Sequence, residues 1–288
     1  MAKLKTAVFP VAGLGTRMLP ATKVLAKEML PVIDKPIIQY AVEEAAAAGI
    51  EKFVFVTGRG KVMIEDHFDR AVELFETLAK RGKKAELERL QRELYTPGEI
   101  VSVRQQEPRG LGHAVWCARH LIEEEAFAVM LPDDLITGEK ACLAQMAEAH
   151  AETGGNVIAV MEVASEHTER YGVITPGATT GRLTEVKGLV EKPKPEVAPS
   201  RLAVIGRYVL TADVFAHLSA HEVGAGGEIQ LTDAMAKLIG VRPFHGLAFE
   251  GHRYDCGDKL GYLEAIVGIA LGRSDLKDGF AQILKRYA

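Results

Sequence analysis

Cysteine is scarce: Cys117, Cys142 and Cys256 are an odd set with no CxxC pair in 288 residues. That excludes a disulfide framework, offers no zinc-site spacing and fits a reducing compartment. No apolar run approaches the roughly 20 residues of a membrane-spanning helix. The opening MAKLKT runs straight into an apolar strand without a cleavage-site pattern, so a cytoplasmic chain is expected. An excess of one charge is also missing. Formal net charge is −4 with 26% charged residues, which argues against a polyanion partner such as nucleic acid. Lys80, Arg81, Lys83 and Lys84 alternate with Glu73, Glu76, Glu86 and Glu88, as on a solvated helix face. No internal repeat or low-complexity linker divides the chain. What is present is a 48% hydrophobic content, enough at this length for a substantial core.

Short β-rich runs alternate with helical patterns, the signature of an α/β fold with a doubly wound, mainly parallel sheet. Strands are expected over residues 6–11, 52–57, 100–104, 126–131 and 156–163, with a helix over 37–48 stopped by Gly49. A charged helical stretch, about 66–97, reads as an insertion. Residues 171–207 carry β-like pieces broken by Gly and Pro, as in a mixed sheet or lid. Helical periodicity returns over 260–271, which could pack on the body or on another subunit. One domain over 1–288 is preferred, with C-terminal helices over 259–288.

The turn after the first strand is Ala12-Gly13-Leu14-Gly15-Thr16-Arg17. Two glycines let backbone N–H groups approach a phosphate, and Arg17 adds a forked cation. A dinucleotide fingerprint fails because its third glycine would fall on Met18, and no Gly-Lys-Ser/Thr follows as a P-loop requires. Pro20 and Pro31 break regular structure around Lys23 and Lys27, so these are not helix-surface lysines; Lys27 is the candidate for neutralising triphosphate charge. Asp133 and Asp134 follow a buried strand, where open α/β sheets bind ligands. Either could hold Mg²⁺, and Asp134 could instead cap the next turn. His113 stands at a helix start beside Gly110 and Gly112 and reads as structural, since a phosphate monoester needs no general base. Met29, Met161 and Trp116 read as core.

The run GLGTRMLPATKVLAKEMLPVIDKP, residues 13–36, resembles the signature of bacterial UTP–glucose-1-phosphate uridylyltransferases among the sugar nucleotidyltransferases. Further blocks follow in order: VRQ (103–105), GLGHA (110–114), LPD (131–133), YGV (171–173), EKP (191–193), GRY (206–208), GEIQLTD (227–233) and YDCG (254–257). The chain departs in having Ala26 where a proline is expected and a second acid after Asp133. The resemblance implies a Rossmann-like, glycosyltransferase-A-like nucleotidyltransferase fold with a sugar-binding subregion over about 156–258. It implies uridylyl transfer from UTP to glucose 1-phosphate with Mg²⁺, and a homodimer or homotetramer. By resemblance, Asp133 and Asp255 hold the metal, and Arg17, Lys27 and Lys192 form the catalytic set. Ala12, Gly13, Gly15, Glu28, Gln105 and Gly110 lie on the nucleotide side, and Gly172 and Glu191 on the sugar. Related activities remain as alternatives: thymidylyl or cytidylyl transfer, or a non-catalytic regulatory relative.

Overall fold

The computed structural model describes residues 3–287. Strand β1 (Thr6–Pro10) leads through the glycine turn to a short ribbon, β2 (Pro31–Val32) and β3 (Lys35–Pro36). Helix α1 (Ile37–Ala47) returns the chain to β4 (Lys52–Thr57). Helices α2 (Val62–Phe68), α3 (Val72–Lys80) and α4 (Lys84–Arg92) precede β5 (Ile100–Arg104). Helix α5 (Leu111–Cys117) connects to β6 (Ala126–Met130), which runs into β7 (Asp134–Thr137). Helix α6 (Cys142–Thr153) and β8 (Asn156–Glu162) follow, then a hairpin of β9 (Gly172–Thr180) and β10 (Leu183–Glu191), then β11 (Leu202–Thr211). Helices α7 (Val214–Leu218) and α8 (Leu231–Ala236), strands β12 (Phe244–Ala248) and β13 (His252–Asp255), and helices α9 (Lys259–Gly272) and α10 (Lys277–Leu284) complete the chain.

A nine-stranded mixed sheet is ordered β5-β4-β1-β6-β11-β8-β12-β10-β9. The first four strands are mutually parallel. Only β11 and β10 run against the other strands of the sheet. β1, β4 and β6 are near-continuous apolar runs because both faces are covered. Ala7, Phe9, Phe53 and Phe55 meet α1 and α6 on one face, and Phe9 and Phe55 pack edge to face at 5.6 Å. Val8, Val54 and Val56 meet α5, α7 and α8 on the other. This alternation follows directly from the strand period of two.

The expected strand and helix positions are met within a residue or two over the parallel half. Residues 171–207 differ from the broken pieces that their Gly and Pro content suggests: β9 and β10 are each nine residues long. Their pairing instead shifts register between Thr184 and Val186 and again between Val186 and Gly188. Such irregularities absorb Pro176 and Gly188 without ending the strands. In the charged stretch, α3 and α4 are largely exposed; Phe75 alone of their residues is buried. No helix among the described residues is long and apolar enough to cross a membrane.

Candidate active site

Loops at the carboxyl ends of the four parallel strands build two neighbouring chambers. The loops after β1, β4 and β5 supply Ala12, Gly13, Gly58, Lys61 and Gln105 to a cavity of about 470 Å³. The loop after β6 supplies Asp133 to a second cavity of about 250 Å³, shared with Arg17, Gly172, Glu191, Lys192 and Asp255. Sequence order thus becomes spatial order, because parallel strands all deliver their loops to one end.

Asp255 reaches Asp133 by strand pairing. In the two-stranded ribbon, β13 lies antiparallel to β7 with Asp255 opposite Asp134, and the Cys256 N–H donates to the Asp133 carbonyl at 2.8 Å. A methyl group placed on Gly257 would stand 3.0 Å from a carboxylate oxygen of each of Asp133 and Asp255, and 3.5 Å from the Arg17 guanidinium. Two hard oxygen donors thus flank one point, a set suited to Mg²⁺, which takes few protein ligands and completes its shell with water and phosphate. Among the described residues no group of three or more His, Cys, Asp or Glu gathers to hold a metal, so nothing competes as a closed cage.

Cations already neutralise these acids. Lys27 Nζ donates to Asp133 Oδ2 at 2.6 Å. Burial alone would raise the Asp133 carboxyl, but Lys27 overrides it and holds the group below the usual carboxylate range. Asp255 faces Arg170 at 3.2 Å and Arg253 at 3.4 Å. Asp134 is committed elsewhere: its carboxylate accepts from the Gly206 N–H at 2.8 Å and from Arg253 Nε at 2.6 Å. Of the two adjacent acids, Asp133 is therefore the one that shares a point with Asp255.

Behind this turn stands Arg207, fully buried and paired to Glu44 at 2.8 Å. Its guanidinium also donates to the carbonyls of Leu131 at 2.8 Å and Asp134 at 2.7 Å, the residues bracketing the turn. Gly206 allows that closeness: a Cβ there would meet Asp134 Oδ2 at 2.5 Å and Leu131 Cβ at 2.6 Å.

On the opposite wall, Glu191 pairs with Gly172 across the β9–β10 hairpin. Glu191 accepts from Thr232 Oγ1 at 2.7 Å and faces Lys192 at 3.3 Å. Lys192 holds φ at 48°, uncommon for a non-glycine residue and frequent where a site demands one side-chain direction.

The structure does not bring every expected residue to a cavity wall. Glu28 is 1% exposed and pairs with Lys61 at 2.9 Å, so it supports Lys61 from behind. Gly15 shapes the turn, with Thr22 Oγ1 donating to its carbonyl at 2.7 Å. Gly110, at φ 106°, permits close approach of Ile229 and Glu228, and its carbonyl receives the Gln105 amide. Lys27 lies between the chambers, with its stem against the glycine turn and its head on Asp133. Ala26, in place of the expected proline, adopts φ −60°, the angle a proline would impose, so the loop is preserved. Trp116 and Met161 pack against the core and Met29 with them.

Sequence reasoning missed Arg170, Arg253, Thr232 and Lys61. Arg170 and Arg253 each sit one residue before a family-like block and Thr232 lies within one, so block edges were the available signal for these three, whereas Lys61 had none.

The sequence model of the nucleotidyl transferase family matches residues 7–270. The chain belongs to that family. It is 55% identical over 257 residues to a UTP–glucose-1-phosphate uridylyltransferase of Komagataeibacter xylinus, covering 89% of this chain and 90% of the relative. Its fold matches a UDP-glucose pyrophosphorylase complexed with UDP-glucose at a TM-score of 0.84 and 42% identity, over 94% of this chain and all of that one. It matches a UTP-bound UGPase from Acinetobacter baumannii at a TM-score of 0.91 and 40% identity, over 98% of both chains.

Proposed function

We propose that this chain transfers the uridylyl group of UTP to glucose 1-phosphate, forming UDP-glucose and pyrophosphate. The observation that carries the reading is the convergence of Asp133, Asp255, Arg17 and Lys192 on one cavity, adjoining a glycine-walled chamber of nucleotide size. In this family member, Ala12, Gly13 and Gln105 hold the base in the first chamber. Gly15, Gly110 and Glu28 shape its walls from behind. Arg17 and Lys27 meet the triphosphate where the chambers join.

In the second chamber Lys192 meets the sugar phosphate as a point charge. Glu191, oriented by Thr232, accepts from sugar hydroxyls, and Gly172 leaves room for the ring. A phosphate oxygen attacks the α-phosphorus in line while the bond to the bridging oxygen breaks and pyrophosphate departs. The sugar phosphate is already anionic at neutral pH, so no side chain must remove a proton. Asp133 and Asp255 would hold Mg²⁺, which when bound supplies charge neutralisation between the two phosphates. Lys27 and Arg170, which pair with these acids here, are the cations that would turn to phosphate oxygens if the acids held the metal. Positioning and electrostatics therefore supply the rate.

The same reading treats residues 1–288 as one catalytic unit, with an insertion over about 66–97, a sugar-binding subregion over about 156–258 and C-terminal helices over 259–288. It works in the cytoplasm with neither nucleic acid nor membrane as partner. Helix α9 exposes Leu260 at 79% and Leu263 at 55%, which supports a homodimer or homotetramer. Incubation with UTP, glucose 1-phosphate and Mg²⁺ should yield UDP-glucose and pyrophosphate in equal amounts. Faster turnover of the thymidine or cytidine triphosphate would overturn the base assignment, and absence of any pyrophosphate would overturn the activity.

A further inference from the structure

A carboxamide can offer either a donor or an acceptor to a base, so a glutamine in a nucleotide chamber selects nothing until its orientation is fixed. Gln105 lines the first chamber and is 7% exposed. Its Nε2 donates to the Gly110 carbonyl at 3.1 Å and lies 3.0 Å from His113 Nδ1. A carbonyl can only accept, so the nitrogen end must face Gly110. The second amide hydrogen then needs a lone pair on Nδ1, which makes His113 neutral with its proton on Nε2. With both hydrogens spent, Oε1 is the remaining polar atom of the side chain, and it can only accept.

His113 is itself held. Its ring stacks on Trp116 at 5.7 Å and meets His221 edge-on at 5.8 Å, and the Arg119 guanidinium lies over the Trp116 ring at 3.5 Å. Arg109, His221 and Glu107 are the titratable groups acting on it, and burial together with Arg109 and His221 disfavours its protonation. Uracil presents a donor at N3, whereas cytosine presents a lone pair there. An acceptor-only Oε1 rewards the first and repels the second.

We infer that His113 is a specificity-determining positioning residue, which locks Gln105 as an acceptor and so excludes cytidine triphosphate. Thymine shares the N3 donor and is not excluded by this device. The inference rests on the first chamber holding the base.

The test is the ratio of kcat/KM for UTP over CTP, with glucose 1-phosphate and Mg²⁺. His113→Leu should lower that ratio about tenfold or more, the usual penalty scale for an unmatched buried hydrogen-bonding group. The loss should appear in KM for UTP, with kcat changed by less than about threefold. His113→Asn, whose side-chain oxygen can accept in place of Nδ1, should retain the ratio within about threefold. A wild-type ratio in His113→Leu, or an equal loss in His113→Asn, overturns the inference. Gln105→Leu separates the premise: if it leaves the ratio untouched, the base is not read in this chamber. If it collapses the ratio while His113→Leu does not, only the role of His113 fails. Should His113→Leu not fold, nitrogen-15 spectra of the wild-type imidazoles decide. An Nε2–H tautomer for His113 at neutral pH is expected, and a proton on Nδ1 refutes the lock.

Discussion

The two chambers adjoin but are built from different materials. The first is walled by Ala12, Gly13, Gly58, Gly60 and the buried Gln105, with Lys23, Arg59 and Lys61 as its charges and no acid on its lining. The second is walled by charge: Arg17, Asp133, Asp134, Arg170, Glu191, Lys192, Arg253 and Asp255 share 250 Å³ of space. Recognition of a flat, neutral base needs shape and one correctly aimed hydrogen bond. Bringing two phosphates together needs charge that can be rearranged. The ion pairs Lys27–Asp133 and Arg170–Asp255 keep that charge balanced before substrates enter.

If the chambers are separable, damage behind the second should spare base selection in the first. The largest effect is expected from Arg207→Met, which strands Glu44 as a buried charge and frees the Leu131 and Asp134 carbonyls. Breaking such a pair costs about 3–5 kcal/mol, to be read from denaturant unfolding. The surviving folded enzyme should keep the wild-type UTP over CTP ratio while losing turnover. A change in that ratio would show that the chambers are coupled. Next in size, Asp133→Asn and Asp255→Asn should each lower turnover by about 10²–10³-fold, with melting little changed in the second and lowered in the first, which leaves Lys27 without its partner. Near-normal rates in either would remove that residue from the proposed metal pair. A smaller effect is expected from Gly110→Ala. The added methyl meets the Ile229 carbonyl at 2.7 Å in a backbone of φ 106°, a strain of about 1–3 kcal/mol. Because the Gly110 carbonyl aims Gln105, this variant should raise KM for UTP more than it alters KM for glucose 1-phosphate.

The same contrast explains what could be read from sequence. The parallel half was legible, since β1, β4 and β6 are apolar runs with helices between them, and their loops carry the glycines and Asp133. A helix does form where α9 was expected, but its apolar residues are spread around the axis and not along one face, so its length and composition, not periodicity, carried the signal. Residues 171–207 were not, because Pro176 and Gly188 look like strand breakers and are absorbed by register shifts that only the partner strands reveal. Among site residues, Asp133, Lys192 and Gln105 stand in recognisable local contexts. The ion-pair partners do not: Arg170 lies far along the chain from Asp255, Arg207 from Glu44 and Arg253 from Asp134, although Arg253 also meets Asp255 two residues on. The burial of Glu28 was hidden for a related reason, as a carboxylate in the signature run gives no sign that Lys61 will pair with it. Local pattern announces an element or a loop, whereas charge compensation is settled by the tertiary fold.

Acid should separate the chambers with the smallest perturbation. Burial, Arg109 and His221 hold the folded His113 below its ordinary value of 6.5, and burial does the same for His67. As pH falls through 6.5, the unfolded chain takes up these protons first, so stability declines between that value and the lower folded values and is level above. Protonation also replaces the Nδ1 lone pair with a donor facing the Gln105 amide, loosening the base chamber. Asp133 behaves in the opposite sense: its folded value is depressed, so its contribution persists above the ordinary carboxylate range and is lost only as pH falls through that lower value. A melting series together with UTP and CTP kinetics from pH 8 to about 5.5 should therefore show base selectivity falling first, while the pairing of Asp133 with Lys27 holds. Turnover with UTP falling earlier than selectivity would reverse the order and place the more acid-sensitive element among the charges of the second chamber.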